Sequence, residues 1–272
     1  MEKFSFSVEI VPPRNGIDIT DLFSNFDKIK DKIEFVSVTE GAGGSLRGGD
    51  LPICVKFLEK GVDVVSHFVT HGKTKFEIEN RLWDLHLFGI EKVLALRGDN
   101  PAGVVDEWDG DYKYAYLLIE QIVKMNQGKY LPLITKPDVE RFGVRSDFFV
   151  YCAGHPGSEN FDHLKLKIDS GANAIITQMV FSFEEFEKYV KKVREKGIIV
   201  PVIAGIRPLK SLKQIESTEK FFGITICDEF KERVDDWEDY FKNMIDKLKE
   251  SDCGGVHLFV LNNFDDVLDL VE

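Results

Sequence analysis

Cysteine is scarce in this chain. The four thiols, Cys54, Cys152, Cys227 and Cys253, are far apart and include no pair at metal-ligand spacing. That pattern excludes a disulfide framework and points to reduced thiols in a reducing compartment. Cys152 and His155 come nearest to a ligand pair. No second pair completes them, so a core thiol and half a metal site stand as the alternatives, and no metal is expected. Long apolar runs are missing as well: nothing approaches the ~20 residues of a membrane span. Blocks of like charge are absent, and the 35 basic residues are outnumbered by 47 acidic ones, a net charge of −12. An acidic surface of this kind excludes nonspecific nucleic-acid binding and predicts a cytoplasmic protein. Met1-Glu2-Lys3-Phe4 runs directly into a strand-like alternation, which predicts no removable targeting segment. There is no internal repeat and no break in composition, so residues 1–272 are expected to form a single domain.

What is present is a repeated alternation of short apolar runs with longer segments of helical spacing. Runs of strand length occur over 4–10, 33–39, 62–69, 92–96, 148–153, 174–178, 200–204 and 256–261. Between them, positions such as Trp237, Tyr240, Phe241, Met244 and Leu248 recur at three and four residues, as one buried helix face requires. Asp18, Thr74 and Ser182 are expected N-caps, the last with Glu185 three residues on. Gly61, Gly89, Gly171 and Gly197 sit where helices should stop. Eight strands alternating with eight helices predict an α/β fold, a single (β/α)8 TIM barrel, with an irregular segment over 220–233 before the last long helix. Inserts over 102–111 and 135–146 read as surface loops.

If that reading holds, the carboxyl ends of the strands carry a consistent chemistry. They present Glu9 before Pro12-Pro13, Thr39-Glu40 before Gly41-Ala42-Gly43-Gly44-Ser45, His67 with Thr70, Arg97-Gly98-Asp99, Tyr151 through His155-Pro156, Gln178, and Gly205 with Pro208. Barrel enzymes keep their reactive groups on that rim. Arg97-Gly98-Asp99 taken alone is equally a strand-end turn in which the two charges pair. Phe4, Phe6, Val8 and Ile10 alternate with Ser5, Ser7 and Glu9, which places Glu9 on the luminal face. A carboxylate or an amide inside an apolar strand is costly unless something uses it. For Gln178 the alternative is a satisfied core amide. The chain has no Gly-x-Gly-x-x-Gly after its first strand, which argues against a Rossmann cofactor site and leaves a barrel site open.

In this order, those residues resemble the methylenetetrahydrofolate reductase family. The resemblance rests on Ser7-Val8-Glu9-Ile10-Val11-Pro12-Pro13-Arg14, Ser37-Val38-Thr39 before the glycine-rich stretch, Ala95-Leu96-Arg97-Gly98-Asp99, His155-Pro156, and Asp169-Ser170-Gly171-Ala172-Asn173 with Ile176-Thr177-Gln178. It implies an FAD-binding barrel that reduces 5,10-methylenetetrahydrofolate to 5-methyltetrahydrofolate in one-carbon metabolism and methionine biosynthesis, with NADH or NADPH as electron donor. By the same resemblance, Glu9 is the general acid that helps open the five-membered ring. Asp99 lies beside the flavin, and Gln178 contacts the pterin. Thr39, His67, Arg97, Gly98, Asp99, Ala115, Tyr151, His155 and Lys167 line FAD, and Gln214 contacts substrate. A homo-oligomer is also implied.

The chain departs from that pattern at several points. Asn263 stands where the family carries an arginine near the folate tail, which leaves Lys210 or Lys213 as nearby cations. Thr218 stands where an aromatic is expected one turn after Gln214. Val202-Ile203-Ala204-Gly205-Ile206-Arg207 replaces the usual Pro-Gly-Ile segment. These differences leave the donor open between a nicotinamide and a partner protein that delivers electrons. Two other function classes remain: a pterin-binding methyltransferase acting with a corrinoid protein, and a noncatalytic barrel subunit.

Overall fold

The computed structural model describes residues 4–41, 48–98 and 110–271. Its strands in chain order are β1 (Ser5–Ile10), β2 (Phe35–Val38), β3 (Asp63–Val69), β4 (Lys92–Leu96), β5 (Lys129–Tyr130), β6 (Arg141–Phe142), β7 (Phe149–Gly154), β8 (Ala174–Met179), β9 (Val202–Ile206) and β10 (Gly255–Leu258). Eight of them close into a parallel barrel in the order β1-β10-β9-β8-β7-β4-β3-β2. The helices are α1 (Thr20–Phe26), α2 (Asp50–Glu59), α3 (Lys75–Leu87), α4 (Ala115–Asn126), α5 (Phe161–Asp169), α6 (Phe183–Glu195), α7 (Leu212–Phe222), α8 (Asp228–Glu232), α9 (Trp237–Lys249) and α10 (Asp265–Val271). Helical segments separate successive barrel strands, as the alternation of periods requires. The expected irregular segment is the connection from α7 through α8 and a 3-10 turn over Val234–Asp236 to α9. Among the described residues no helix is long and apolar enough to cross a membrane.

Each strand has two apolar faces of different kind, because successive side chains point to opposite sides. Val8, Ile10, Val36, Val38, Val64, Phe68, Val93, Ala95, Val150 and Cys152 pack outward into the main core beneath the helices. Phe35, Val65, Leu94, Tyr151, Ala174, Ile176 and Ile203 form a separate cluster inside the barrel. This inner plug fills the lumen towards the strand amino ends, so any cavity has to lie at the carboxyl end.

Local signals explain most of the boundaries. Thr74 caps α3 with a reciprocal box to Glu77. Ser182 accepts from the Glu185 amide at the start of α6, whereas the Glu185 carboxylate turns to the Phe181 amide at 3.4 Å. Asp18 stands one residue ahead of its expected place: the N-cap is Ile19, and Asp18 accepts from the Thr20 amide and hydroxyl, each at 2.7 Å. β9 begins at Val202 because Pro201 has no N–H to donate. β10 stops at Leu258, short of Leu261, because Leu261 and Asn262 turn into the left-handed region with φ of 50° and 65°. The expected loop over 135–146 contains a strand: Lys129 and Tyr130 pair antiparallel with Phe142 and Arg141. Glu79 of α3 holds that excursion by pairing with Arg141 and accepting from the Leu131 amide at 2.6 Å. Strands of two residues have no period for a sequence to display.

One close approach positions the site. Between Ile176 and Met179, β8 carries an extra residue relative to β9, a bulge that re-aims the side chain at 178. Gly205 lies against it, with its amide donating to Thr177 Oγ1 at 2.9 Å. A methyl group at 205 would run into the Thr177 carbonyl oxygen and the Phe259 ring. Gly205→Ala is therefore expected to cost about 2–3 kcal/mol through overpacking. Gly61→Ala, where a left-handed helix stop has open space around it, is expected to cost about 1 kcal/mol. Urea unfolding midpoints of the two variants check the order.

Candidate functional site

The carboxyl end of the barrel opens into a cavity of about 980 Å³, a size that suits a large ligand. Its floor is Leu94 and Ile176, and its wall takes a side chain or two from the end of each barrel strand. Glu9, Thr39, His67, Arg97, Gly98, His155 and Gln178, all expected site residues, line it together. Arg207, Phe259, Leu261, Asn262 and the α7 residues Ser217, Thr218, Phe221 and Phe222 complete the wall.

The remaining expected residues are placed differently. Asp99 lies outside the described residues, as do 42–47 of the glycine-rich stretch. Tyr151 belongs to the inner plug below the cavity, its ring 5.5 Å from that of Phe35. Ala115 is the first residue of α4 and does not appear on the wall. Lys167 on α5 stands behind the wall and donates to the Ala153 carbonyl at 2.8 Å. Gln214 is exposed at the amino end of α7, on the helix face that carries Ser217, Thr218 and Phe221 towards the cavity, and it accepts from the Lys210 amide at 2.6 Å. Lys210 itself pairs with Asp266 at 2.8 Å and covers the Trp237 ring at 4.4 Å. Asn263 donates to the same Asp266 at 2.6 Å.

Under the cavity runs a buried polar chain that sequence reasoning did not find. His67 Nε2 is 3.0 Å from Ser37 Oγ, which is 3.1 Å from His257 Nε2. His257 Nδ1 is 2.8 Å from Ser7 Oγ, which donates to the Val256 carbonyl at 3.2 Å. Burial holds both imidazoles neutral near pH 7, pushing His67 down to about 4 and His257 to about 3. Each hydroxyl has one proton to give, and with Ser7 donating to Val256 one consistent arrangement has His257 Nδ1–H donate to Ser7, Ser37 donate to His257 Nε2 and His67 Nε2–H donate to Ser37.

Glu9 is on the wall just above this belt and is enclosed by protein on every side but the cavity. Burial raises its carboxyl to about 7, against a smaller opposing pull from the Arg207 guanidinium. The Arg207 head rests 5.7 Å from the Phe222 ring centroid. Thr39 is buried, and its Oγ1 has no hydrogen-bond partner among the described residues. Gln178 uses its amide oxygen on the Met179 N–H at 3.0 Å, which leaves its NH2 group facing the cavity contents. Glu40 is already neutralised at the rim by Lys73 at 2.8 Å and also accepts from the Val69 amide. Asn262 laces the ends of β1 and β10 together, accepting from the Val11 amide at 3.0 Å and donating to the Val11 carbonyl at 2.7 Å. Gly98, with φ of 87°, is at a turn where a methyl group would strike Val69. The arrangement offers a protonated acid, an uncommitted hydroxyl, an amide and two guanidinium groups around an apolar slot. It can bind a flat polar ring system and pass it a proton.

Residues 1–272 match the family model described as Methylenetetrahydrofolate reductase. Methylenetetrahydrofolate reductase 1 of Schizosaccharomyces pombe is 29% identical over 287 aligned residues, covering 96% of this chain and 44% of its own length. Methylenetetrahydrofolate reductase (NADH) 1 of Zea mays is 26% identical, covering 95% of this chain and 46% of its own. The chain thus spans just under half the length of these relatives. Among solved structures, a Clostridium thermocellum protein described as binding two copies of 5-methyl-5,6,7,8-tetrahydrofolic acid superposes with a TM-score of 0.64 at 14% identity, covering 99% of this chain and 93% of that one. At that identity the likeness is one of fold.

The elevated Glu9 carboxyl has a measurable consequence for stability. Below about pH 4.5, folded and unfolded chains both hold the proton, and from there to about 7 the unfolded chain loses it first, so stability falls as pH rises and levels off above 7. Replacing Glu9 with Gln is expected to remove that cost, raising stability at pH 8 by up to roughly 3 kcal/mol while changing it little at pH 4.5. Urea denaturation of both proteins at the two pH values measures the difference. The two neutral histidines act in the other sense, and their contribution drains away as pH falls from the ordinary histidine value towards 4.

Proposed function

The chain belongs to the methylenetetrahydrofolate reductase family, and from that premise we propose that it reduces 5,10-methylenetetrahydrofolate to 5-methyltetrahydrofolate with FAD in the barrel mouth. The observation that carries the reading is the enclosed Glu9 carboxyl, raised to about 7, converging with Thr39, Gln178 and Arg97 on one cavity. A structural rim has no use for a buried acid that still holds part of its proton at neutral pH, whereas opening a C–N bond needs one.

The residues fit a flavin. The buried Thr39 hydroxyl lacks a partner of its own and is available to a polar ring edge. Leu94, Leu96, Ile176 and Met179 supply apolar contact for a flat ring, and Arg97 on the wall provides a cation for a diphosphate. The tight turn at Gly98 keeps the backbone close to the cavity. When bound there, FAD supplies the hydride that the one-carbon unit receives.

The protein's own residues govern binding and proton placement. Glu9 holds a proton on its carboxyl and delivers it to the amine nitrogen that leaves the methylene carbon as the five-membered ring opens. Gln178, aimed by the bulge in β8, offers its NH2 group to the pterin edge. The neutral belt of His67, Ser37, His257 and Ser7 puts no positive charge beneath Glu9, which would otherwise lower its pKa. The inner plug of Phe35, Val65 and Tyr151 closes the lumen to water from below. Asp99 enters this reading through the family resemblance, as the negative charge beside the flavin. The electron donor is a reduced nicotinamide, as the name of the maize relative suggests for that protein.

Purified protein loaded with FAD is expected to be bleached anaerobically by NADH or NADPH and by 5-methyltetrahydrofolate. Glu9→Gln is expected to keep the flavin and its reduction by nicotinamide while slowing the folate half-reaction by about 10²–10⁴-fold. In the parent protein that half-reaction should fall as pH rises through about 7, where Glu9 loses its proton. A colourless protein that cannot be loaded with flavin would return the corrinoid methyltransferase class to first place.

A further inference from the structure

Arg207 is a second cation on the cavity wall. It follows β9 directly, is half-buried, and lines the cavity. Among the described residues it forms no hydrogen bond and no ion pair. Its neighbours are the face of Phe222 at 5.7 Å and, as a charge, Glu9. A guanidinium carries five donors in a rigid fork, and taking it part-way out of water without an acceptor is costly. Glu9 repays that cost only in part: about half of it is ionised at neutral pH, and it makes no hydrogen bond or ion pair to the guanidinium. The fork is therefore kept for something the protein does not itself supply.

Three observations define that ligand. The first is charge. Glu40 is cancelled by Lys73, and Arg207 is a cation on the described wall that no carboxylate holds by an ion pair. The second is shape: Phe222 lies against Arg207, and the same cavity wall carries Phe221, Phe259 and Leu261, an apolar group in which Phe221 is 69% and Leu261 56% exposed. The third is direction. Arg207 reaches from the deep carboxyl of Glu9 to the ring of Phe222 in this group, so a ligand held at Glu9 would extend past Arg207 towards solvent. The nearby alternatives are already committed, since Lys210 and Asn263 both serve Asp266.

Resting on the functional reading above, we propose that Arg207 binds the carboxylate end of the folate, with the aryl ring of the tail seated between the phenylalanines of α7 and Phe259. Arg207 is then a specificity residue for the tail, distinct from the machinery that acts on the pterin.

Calorimetric titration of the full chain, loaded with FAD, tests this with two probes: 5-methyltetrahydrofolate, and 5-methyltetrahydropterin, which has the ring system but no aryl-glutamate. R207Q is expected to weaken the folate at least tenfold and leave the pterin within twofold. R207K, which keeps the charge but not the fork, should lose less. Added salt should weaken folate binding to the parent more steeply than to R207Q. Flavin content and thermal unfolding establish that each variant is folded, and R207K carries the comparison if R207Q is not. Equal weakening of both probes would make Arg207 a partner of Glu9 and overturn the inference, as would unchanged folate binding. A parent protein that binds neither probe would remove the functional reading and this inference with it.

Discussion

Closure of the sheet is the constraint from which everything else follows. A barrel of eight parallel strands has one interior, and alternation sends every second side chain into it. The lower part is filled with Phe35, Val65, Leu94, Tyr151, Ala174, Ile176 and Ile203, as a packed core must be. Above that plug the luminal positions become polar: Ser7, Ser37, His67 and His257, then Glu9, Thr39, Gln178 and Arg207. The transition from packing to chemistry therefore occurs within single strands. On β3 it lies between Val65 and His67, and on β8 between Ile176 and Gln178.

The polar belt solves an electrostatic problem for the residue above it. A carboxyl enclosed by protein keeps its proton to higher pH the fewer cations are fixed close by, and Glu9 already feels Arg207. Serines and neutral histidines fill the lumen without adding charge, and their hydrogen bonds link into one chain that ends on the Val256 carbonyl. An apolar belt would pack as well, yet it would offer no polar contact to a ligand lying on it, and His67 is on the cavity wall. The arrangement is costly in stability at both ends of the pH range, through Glu9 on the alkaline side and the histidines on the acid side. Sites that hold groups away from their ordinary ionisation state carry such costs.

Much of this was legible in the sequence because it depends on period. The eight barrel strands and the luminal placement of Glu9 follow from alternation alone. So does His257, which sits between Val256 and Leu258 just as Glu9 sits between Val8 and Ile10, although nothing in a single strand shows that its partners are two serines from other strands. Arg207 lies beyond the expected run over 200–204, and it follows the strand directly only because β9 continues to Ile206. What the sequence could not show was what had already been spent. Lys210 and Asn263 are polar residues near the rim, but Asp266 engages both. Tyr151 has the ring that a cofactor contact needs, and tilt and register sink it into the plug. Gln214 shares the cavity-facing side of α7, one turn too early to be on the wall. The β5–β6 excursion was invisible because two-residue strands carry no pattern, and it is held by Glu79, a residue that reads as an ordinary exposed helix position.

The charge distribution sets the range over which the cavity can select a ligand. With a net charge of −12, the molecule as a whole repels an anion. At physiological salt the repulsion decays over about 8 Å. Arg97 and Arg207 act inside that distance, in a recess whose apolar walls weaken screening. An anionic ligand thus gains from the cations only once it is inside the recess, where the walls act on its shape as well as its charge.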